Sequence, residues 1–225
     1  MDDHMKPKEE KLMLKRYIGT LLVALTLALP VACRAGAEDA KDAADRFATV
    51  GEKAPDFTLT DAAGKKHSLA DFAGRFVVLE WVNFGCPFVK KHYNSKNMQN
   101  LQAAYTEKEV VWLSICSSGP AKQGYFEGDE LVRELDQKGS RATAYLVDAD
   151  GRVGRMYEAK TTPHMFVIDP GGVLIYAGAI DDRPSTDVED IKGATNYVQQ
   201  ALDAAMTGKP VAVTSTKSYG CSVKY

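Results

Sequence analysis

Phe76-Val77-Val78-Leu79-Glu80-Trp81-Val82-Asn83-Phe84-Gly85-Cys86-Pro87-Phe88-Val89 passes from a nearly unbroken apolar run into a cysteine followed by proline. An apolar run of strand length without alternation is the pattern of a central strand covered on both faces. Proline fits the first turn of a helix, because its fixed φ matches and its missing N–H has no partner there to lose. The stretch predicts a buried strand over 76–82, a tight connection, and a helix that begins at Pro87 with Cys86 at its mouth. A sulfur so placed meets unpaired backbone N–H groups and the positive end of the helix dipole, which lower a thiol pKa from its ordinary ~8.5. The thiolate is the nucleophile of disulfide exchange and of attack on peroxides. A buried, inert cysteine is the commoner fate of a free thiol; the Gly-Cys-Pro junction between strand and helix argues against it here.

Outward from this stretch the pattern stays orderly. Downstream, residues 87–105 read as one helix with Val89, Met98, Leu101 and Tyr105 facing inward. Next come a strand at 110–115, a helix at 130–138 and a short strand at 144–147. Asp148-Ala149-Asp150-Gly151 then turns into a brief helix ending at Met156. Residues 165–168 and 173–177, joined by Asp169-Pro170-Gly171-Gly172, read as an antiparallel hairpin. A long final helix is expected over 188–206. Upstream, a short strand at 57–59 leads through Asp61-Ala62-Ala63-Gly64 to a helical turn at 68–72. This order predicts an α/β fold, a mixed central sheet flanked by helices. Its site belongs at the carboxyl ends of the parallel strands, where Cys86 and Cys116 are both expected to open.

The chain has 225 residues, 45% hydrophobic and 26% charged, with a net charge of −2. That balance describes one ordinary globular domain. Lysine and arginine are scattered, with no basic patch of the kind nucleic acid requires. At the N-terminus Lys11, Lys15 and Arg16 precede an apolar run over 18–29, closed by Pro30 and followed by Ala35-Gly36-Ala37. This predicts a signal peptide over 1–37, with Met13 as an alternative start, and hence a periplasmic or secreted protein. The run is shorter than the ~20 residues of a spanning helix. Cys33 is not read as a lipidation site, because Pro30 stands where such sites carry leucine. Residues 38–50 read as a linker, 51–207 as the domain and 208–225 as a tail. Cleavage after Ala37 leaves Cys86, Cys116 and Cys221. An odd number in an oxidising compartment leaves at least one thiol free, reactive or shared with a partner, and the spacings match no zinc pattern.

Ala54-Pro55-Asp56-Phe57, Ser68-Leu69-Ala70-Asp71-Phe72 with Gly74, and Val77-Val78-Leu79 leading to Cys86-Pro87 resemble the redoxin group. That group comprises the peroxiredoxin-like (AhpC/TSA) and exported thioredoxin-like proteins of the thioredoxin superfamily. Thr161-Thr162-Pro163 followed by Met165-Phe166-Val167-Ile168-Asp169 is similar to its cis-proline segment and following strand. Cys86-Pro87-Phe88-Val89-Lys90-Lys91-His92-Tyr93, with the ending Gly220-Cys221-Ser222-Val223-Lys224-Tyr225, resembles a subgroup with a lone motif cysteine. The resemblance spans residues 50–206. It implies a thioredoxin-like fold and an exported thiol–disulfide oxidoreductase, with a thiol-dependent peroxidase as the alternative. Two departures stand out. Val89 occupies the place of the second thioredoxin cysteine. Asn83 replaces the threonine that peroxiredoxins carry before the cysteine, and the stretch leading to residue 165 holds Pro163 rather than an arginine.

The resemblance, together with the chemistry of the residues themselves, suggests roles for individual positions. Cys86 is the nucleophile and Pro87 opens its helix. Glu80 matches a buried acid that relays protons to the sulfurs; in an apolar strand its pKa would be raised, and the alternative is a solvent-facing glutamate. Pro163, in the cis form, would lie against Cys86 and shape the groove where a substrate chain pairs with the backbone. His92, two helical turns past Cys86, reads as a proton carrier or as a surface helix residue, and His164 likewise. Cys221 is the expected resolving thiol, on a tail able to stretch about 40 Å at ~3.3 Å per residue. Cys116 and a partner protein's thiol compete for that role. No cofactor is implied, since Gly171-Gly172 is a hairpin turn and not a phosphate loop. The implied partners are a thiol, disulfide or hydroperoxide substrate and an external thioredoxin-like reductant, with no nucleic acid and no membrane span after cleavage. A third reading has Cys86, His92 and His164 or Cys221 hold copper, an ion suited to soft ligands.

Overall fold

The computed structural model describes residues 47–225; the expected signal peptide, Cys33 and most of the linker lie outside the described residues. The strands are β1 (Thr58–Asp61), β2 (Lys66–Ser68), β3 (Val77–Trp81), β4 (Val111–Cys116), β5 (Ala144–Val147), β6 (Thr161–Thr162), β7 (His164–Ile168), β8 (Leu174–Gly178) and β9 (Cys221–Ser222). The α-helices are α1 (Pro87–Asn94), α2 (Asn97–Thr106), α3 (Gly128–Lys138), α4 (Arg152–Met156) and α5 (Tyr197–Met206). Seven strands form one mixed sheet in the order β2-β1-β5-β4-β3-β7-β8, and β6 pairs with β9 apart from it. β3, β4 and β5 run parallel at the centre, and β1 and β7 join them antiparallel. This is the thioredoxin-like α/β fold.

Alternation along the central strands divides the core in two. Val77, Leu79 and Trp81 of β3 join Val111, Leu113 and Ile115 of β4 on one face, against Val153, Met156 and Tyr157. Val78 and Trp112 point to the other face, against Val89, Tyr93, Met98, Leu101, Val198 and Leu202 of α1, α2 and α5. Every residue of β3 is buried. A strand covered on both sides has no polar face to show, and its sequence accordingly lacks alternation. Among the described residues no helix is long and apolar enough to cross a membrane.

Two expected helices are each divided. Residues 87–105 form α1 and α2, because Lys96 takes a left-handed conformation (φ 64°) and Ser95 turns its hydroxyl back onto the Lys91 carbonyl at 2.7 Å. Residues 188–206 form a single 3₁₀ turn, Val188–Ile191, and then α5, whose start is capped by Asn196 accepting from the Gln199 N–H at 2.9 Å. The 68–72 turn is a 3₁₀ helix closed by a Ser68–Asp71 capping box. Ala48 and Gly51, at the junction of expected linker and domain, donate backbone bonds to Met156 and Leu174. The tail packs back onto the domain at several points. Ser215 bridges Ala177 in parallel, Cys221 and Ser222 form β9, and the Lys224 carbonyl accepts from the Gly119 N–H at 2.9 Å.

Candidate active site

β3 ends at Trp81 and the chain crosses to α1 in five residues, held by Asn83. Its Oδ1 accepts from the Gly85 N–H at 2.8 Å and its Nδ2 donates to the Gln123 carbonyl at 2.9 Å. Both ends of the amide are therefore spent on the loop, where peroxiredoxins would place a threonine hydroxyl. Cys86 is the N-cap of α1, extended at φ −73° and ψ 128°, and Pro87 occupies the first turn. The expected strand, connection and Pro87-led helix are all present.

The Cys86 side chain is fully buried, and its thiol donates to the Thr162 carbonyl at 3.0 Å. Thr162 belongs to β6 and precedes Pro163 through a cis peptide bond. β6 pairs antiparallel with β9, Thr161 opposite Ser222 and Thr162 opposite Cys221. The tail thus delivers the Cys221 thiol to the Cys86 thiol. Gly220, just before it, lies against the Thr162–Pro163 peptide with φ 131°; a Cβ there would overlap the Thr162 carbonyl.

These surroundings treat the two thiols unequally. Burial raises the Cys86 pKa, but hydrogen bonds from the Cys221 thiol, the Val89 N–H at the helix start and the Cys221 N–H outweigh it, leaving the thiol below its ordinary value. The Thr162 hydroxyl, buried and without a partner while Cys86 keeps its proton, adds a further donor to the thiolate. Burial and then the neighbouring Cys86 push Cys221 up to about 11. The first proton leaves from Cys86 while Cys221 keeps its own.

Cys116 is elsewhere: its thiol is buried and donates to the Gly124 carbonyl at 3.2 Å. Glu80 is fully buried, not solvent-facing. Its Oε1 accepts from the Tyr93 hydroxyl at 3.0 Å; its Oε2 accepts from Trp112 Nε1 at 2.8 Å, Ser114 Oγ at 2.9 Å and Gln102 Nε2 at 3.1 Å. Burial raises its pKa, opposed by those four donors. None of its hydrogen bonds reaches Cys86. His92 is not a surface residue either: it is fully buried, its Nδ1 bonds Asn97 at 2.8 Å, and its Nε2 lies 3.4 Å from the Tyr219 hydroxyl and 4.0 Å from Asp181. Burial, opposed by Asp181, brings it down to about 4, so it is neutral at pH 7. His164 is buried on β7, with Nδ1 accepting from the Lys160 N–H at 3.3 Å, and burial brings it to about 4 as well. Among the described residues no three His, Cys, Asp or Glu side chains gather as a metal site, so the geometry lends the copper reading nothing.

Asp181 and Tyr219 were not singled out by the sequence, and Thr162 entered only as part of the Thr161-Thr162-Pro163 segment. Only Tyr219-Gly220-Cys221 carried a local signal, an aromatic and a glycine immediately before a cysteine near the chain end.

Residues 50–177 match the model of the AhpC/TSA family. Over 126 residues the chain is 28% identical to the thiol-disulfide oxidoreductase ResA of Bacillus thuringiensis subsp. konkukian (strain 97-27), covering 56% of this chain and 67% of that protein. Two crystal structures are similar throughout the domain. One is a hypothetical protein from Sinorhizobium meliloti 1021, with 29% identity, a TM-score of 0.66, and 79% of this chain and 94% of that chain covered. The other is an uncharacterized conserved protein from Geobacillus kaustophilus, with 27% identity, a TM-score of 0.67, and coverage of 79% and 92%.

Proposed function

We propose, from the premise that this chain belongs to the AhpC/TSA family, that it is a thiol–disulfide oxidoreductase in which Cys86 attacks and Cys221 resolves. The observation that carries this reading is the register of β6 with β9, Thr162 opposite Cys221, with both thiols at one hydrogen-bonded junction. In the cycle, the Cys86 thiolate attacks one sulfur of a protein disulfide R–S–S–R′. A Cys86–S–S–R bond forms and R′S⁻ leaves with the electron pair of the broken bond. Cys221 gives up its proton to a leaving thiolate or to water, attacks the Cys86 sulfur and expels RS⁻. The substrate gains two electrons and the chain keeps a Cys86–Cys221 disulfide. An external dithiol reductant of the thioredoxin type returns the electrons.

The unequal acidities suit this order, since the more acidic thiol attacks and the less acidic one waits. The likeness to proteins named thiol-disulfide oxidoreductase supports the same chemistry. The signal-peptide reading of residues 1–37 supports action outside the cytoplasm, where protein disulfides persist. A peroxidase would use the same thiolate but also needs donors for the peroxide oxygens, and Asn83 spends its amide on Gly85 and Gln123.

The test is to expose reduced protein to glutathione disulfide, quench with acid, and map disulfides by mass spectrometry. A Cys86–Cys221 bridge is expected in wild type and in Cys116→Ser, and a Cys86–glutathione adduct in Cys221→Ser. A Cys86–Cys116 bridge, or a Cys86 left free in excess oxidant, overturns the reading.

A further inference from the structure

The tail does more than reach the site; it fills the edge of β6. Its backbone takes the hydrogen-bonding positions beside Thr162 that any other extended segment would need. Upstream, Thr216 is locked to β8 and the residue after it: its N–H donates to the Ala177 carbonyl at 3.2 Å, and its Oγ1 accepts from the Ala179 N–H at 2.9 Å. Gly178 makes room, since a Cβ there would overlap Thr216. Downstream, the Val223 N–H donates to the Lys160 carbonyl at 3.2 Å and the Tyr225 hydroxyl to the Ala159 carbonyl at 2.6 Å.

Between these anchors stands Tyr219. Its ring lies 5.8 Å from that of Phe88 in α1, and its hydroxyl donates a short hydrogen bond to the carboxylate of buried Asp181. Asp181 also accepts from the Arg183 N–H at 2.9 Å, and neutral His92 closes the cluster. No cycle step described above uses this cluster.

We infer that the tail is a tethered strand competing with extended, cysteine-bearing segments of other proteins for the β6 edge, and that Tyr219, held by Asp181, is the positioning residue that latches it. The inference rests on Cys86 exchanging with disulfides, but its first test does not. A hydrogen bond to an ionised acceptor is worth roughly a factor of ten or more. In the reduced full chain, Tyr219→Phe should speed hydrogen exchange at the Val223 and Thr216 amides about tenfold, with the β3 and β4 amides unchanged as a control on folding. Asp181→Asn, which keeps an acceptor oxygen for the tyrosine, should retain protection that Asp181→Ala loses. Equal protection of the tail amides in wild type, Tyr219→Phe and Asp181→Ala overturns the latch.

The second test measures competition. The probe is the acetylated peptide Gly-Cys-Ser-Val-Lys-Tyr carried as a mixed disulfide with 5-thio-2-nitrobenzoate. Cys86 attacks the peptide sulfur, and the coloured thiolate leaves with the electron pair. Tyr219→Phe should raise the initial rate severalfold more for this peptide than for the glutathione mixed disulfide. An equal rise for both means that the tail merely shields the thiol, and overturns the competition. Failure of Cys86 to react with either probe refutes the exchange chemistry, and competition with it, while the latch still stands or falls on the amide exchange.

Discussion

Cys86 has no exposed surface, yet its thiol is the more acidic of the pair, because donors converge on it from a helix start, from β9 and from the Cys221 thiol. If the Cys221 thiol is one of those donors, Cys221→Ala should slow alkylation of Cys86 by iodoacetamide roughly tenfold below the midpoint of its pH–rate profile, the scale of one hydrogen bond to a charged group. The midpoint should move to higher pH, and Cys221→Ser, which restores a donor, should recover most of the loss. Identical profiles in all three proteins would mean that the helix start alone holds the thiolate. The place of Cys86 at the start of a helix was legible in the sequence because proline and the strand-to-helix junction act locally. The burial that lowers the His92 pKa was not, because it comes from packing against residues that lie far along the chain, Asp181 and Tyr219 among them.

Between β3, β4, α1 and α2 sits a polar cluster inside an apolar layer, and Glu80 is its hub. Its hydrogen bonds allow a sharp comparison. Glutamine can place its carbonyl oxygen where Oε2 receives Trp112, Ser114 and Gln102, and its NH₂ toward the Tyr93 hydroxyl, which can accept. Glu80→Gln should therefore cost about 1 kcal/mol or less, whereas Glu80→Leu strands several buried donors and should cost roughly 3–5 kcal/mol, read by denaturant unfolding. The pH dependence has a definite sign. Because the folded carboxyl is raised above its ordinary 4.5, its contribution is fullest below that value and is lost as pH climbs through the folded pKa. The advantage of wild type over Glu80→Gln should shrink with rising pH; a gap that widens would refute the raised pKa. The glutamine variant also isolates the proton-relay expectation, since an unchanged exchange rate at Cys86 would make Glu80 purely structural. At this scale β3, β4 and the β7–β8 hairpin were legible, each having a full apolar run or an unambiguous turn. β6 and β9 were not: strands of two residues have no period to read, and their pairing depends on a tail whose composition resembles any polar end. The break between α1 and α2 escaped for a similar reason, since the left-handed Lys96 carries no glycine or proline to mark it.

Among the described residues the segment 208–225 folds back onto the site, and that docking has a thermodynamic signature. A Cys86–Cys221 disulfide would tie the start of α1 to the last residues of the chain, a loop longer than ~100 residues, for which loss of unfolded-chain entropy gives about 4.7 kcal/mol. Engineered bridges deliver less when the native backbone must shift to accept them. Here the reduced chain already holds Cys221 against Cys86 through β6–β9 pairing, the Tyr219–Asp181 bond and the Val223–Lys160 and Lys224–Gly119 backbone bonds. Little rearrangement is left to oppose the gain. Oxidised protein should then unfold in guanidinium with a free energy some 4–5 kcal/mol above reduced protein, within the range for a long loop. The increment should vanish in Cys221→Ser and persist in Cys116→Ser. A gain below about 1 kcal/mol, far under the loop-entropy value, would mean that the tail must distort to form the bond. Full gain in wild type together with a much smaller gain in Tyr219→Phe would trace the stability of the oxidised form to native docking at the latch. Equal gains in the two would place the effect in the unfolded chain, where loop entropy acts and the latch does not.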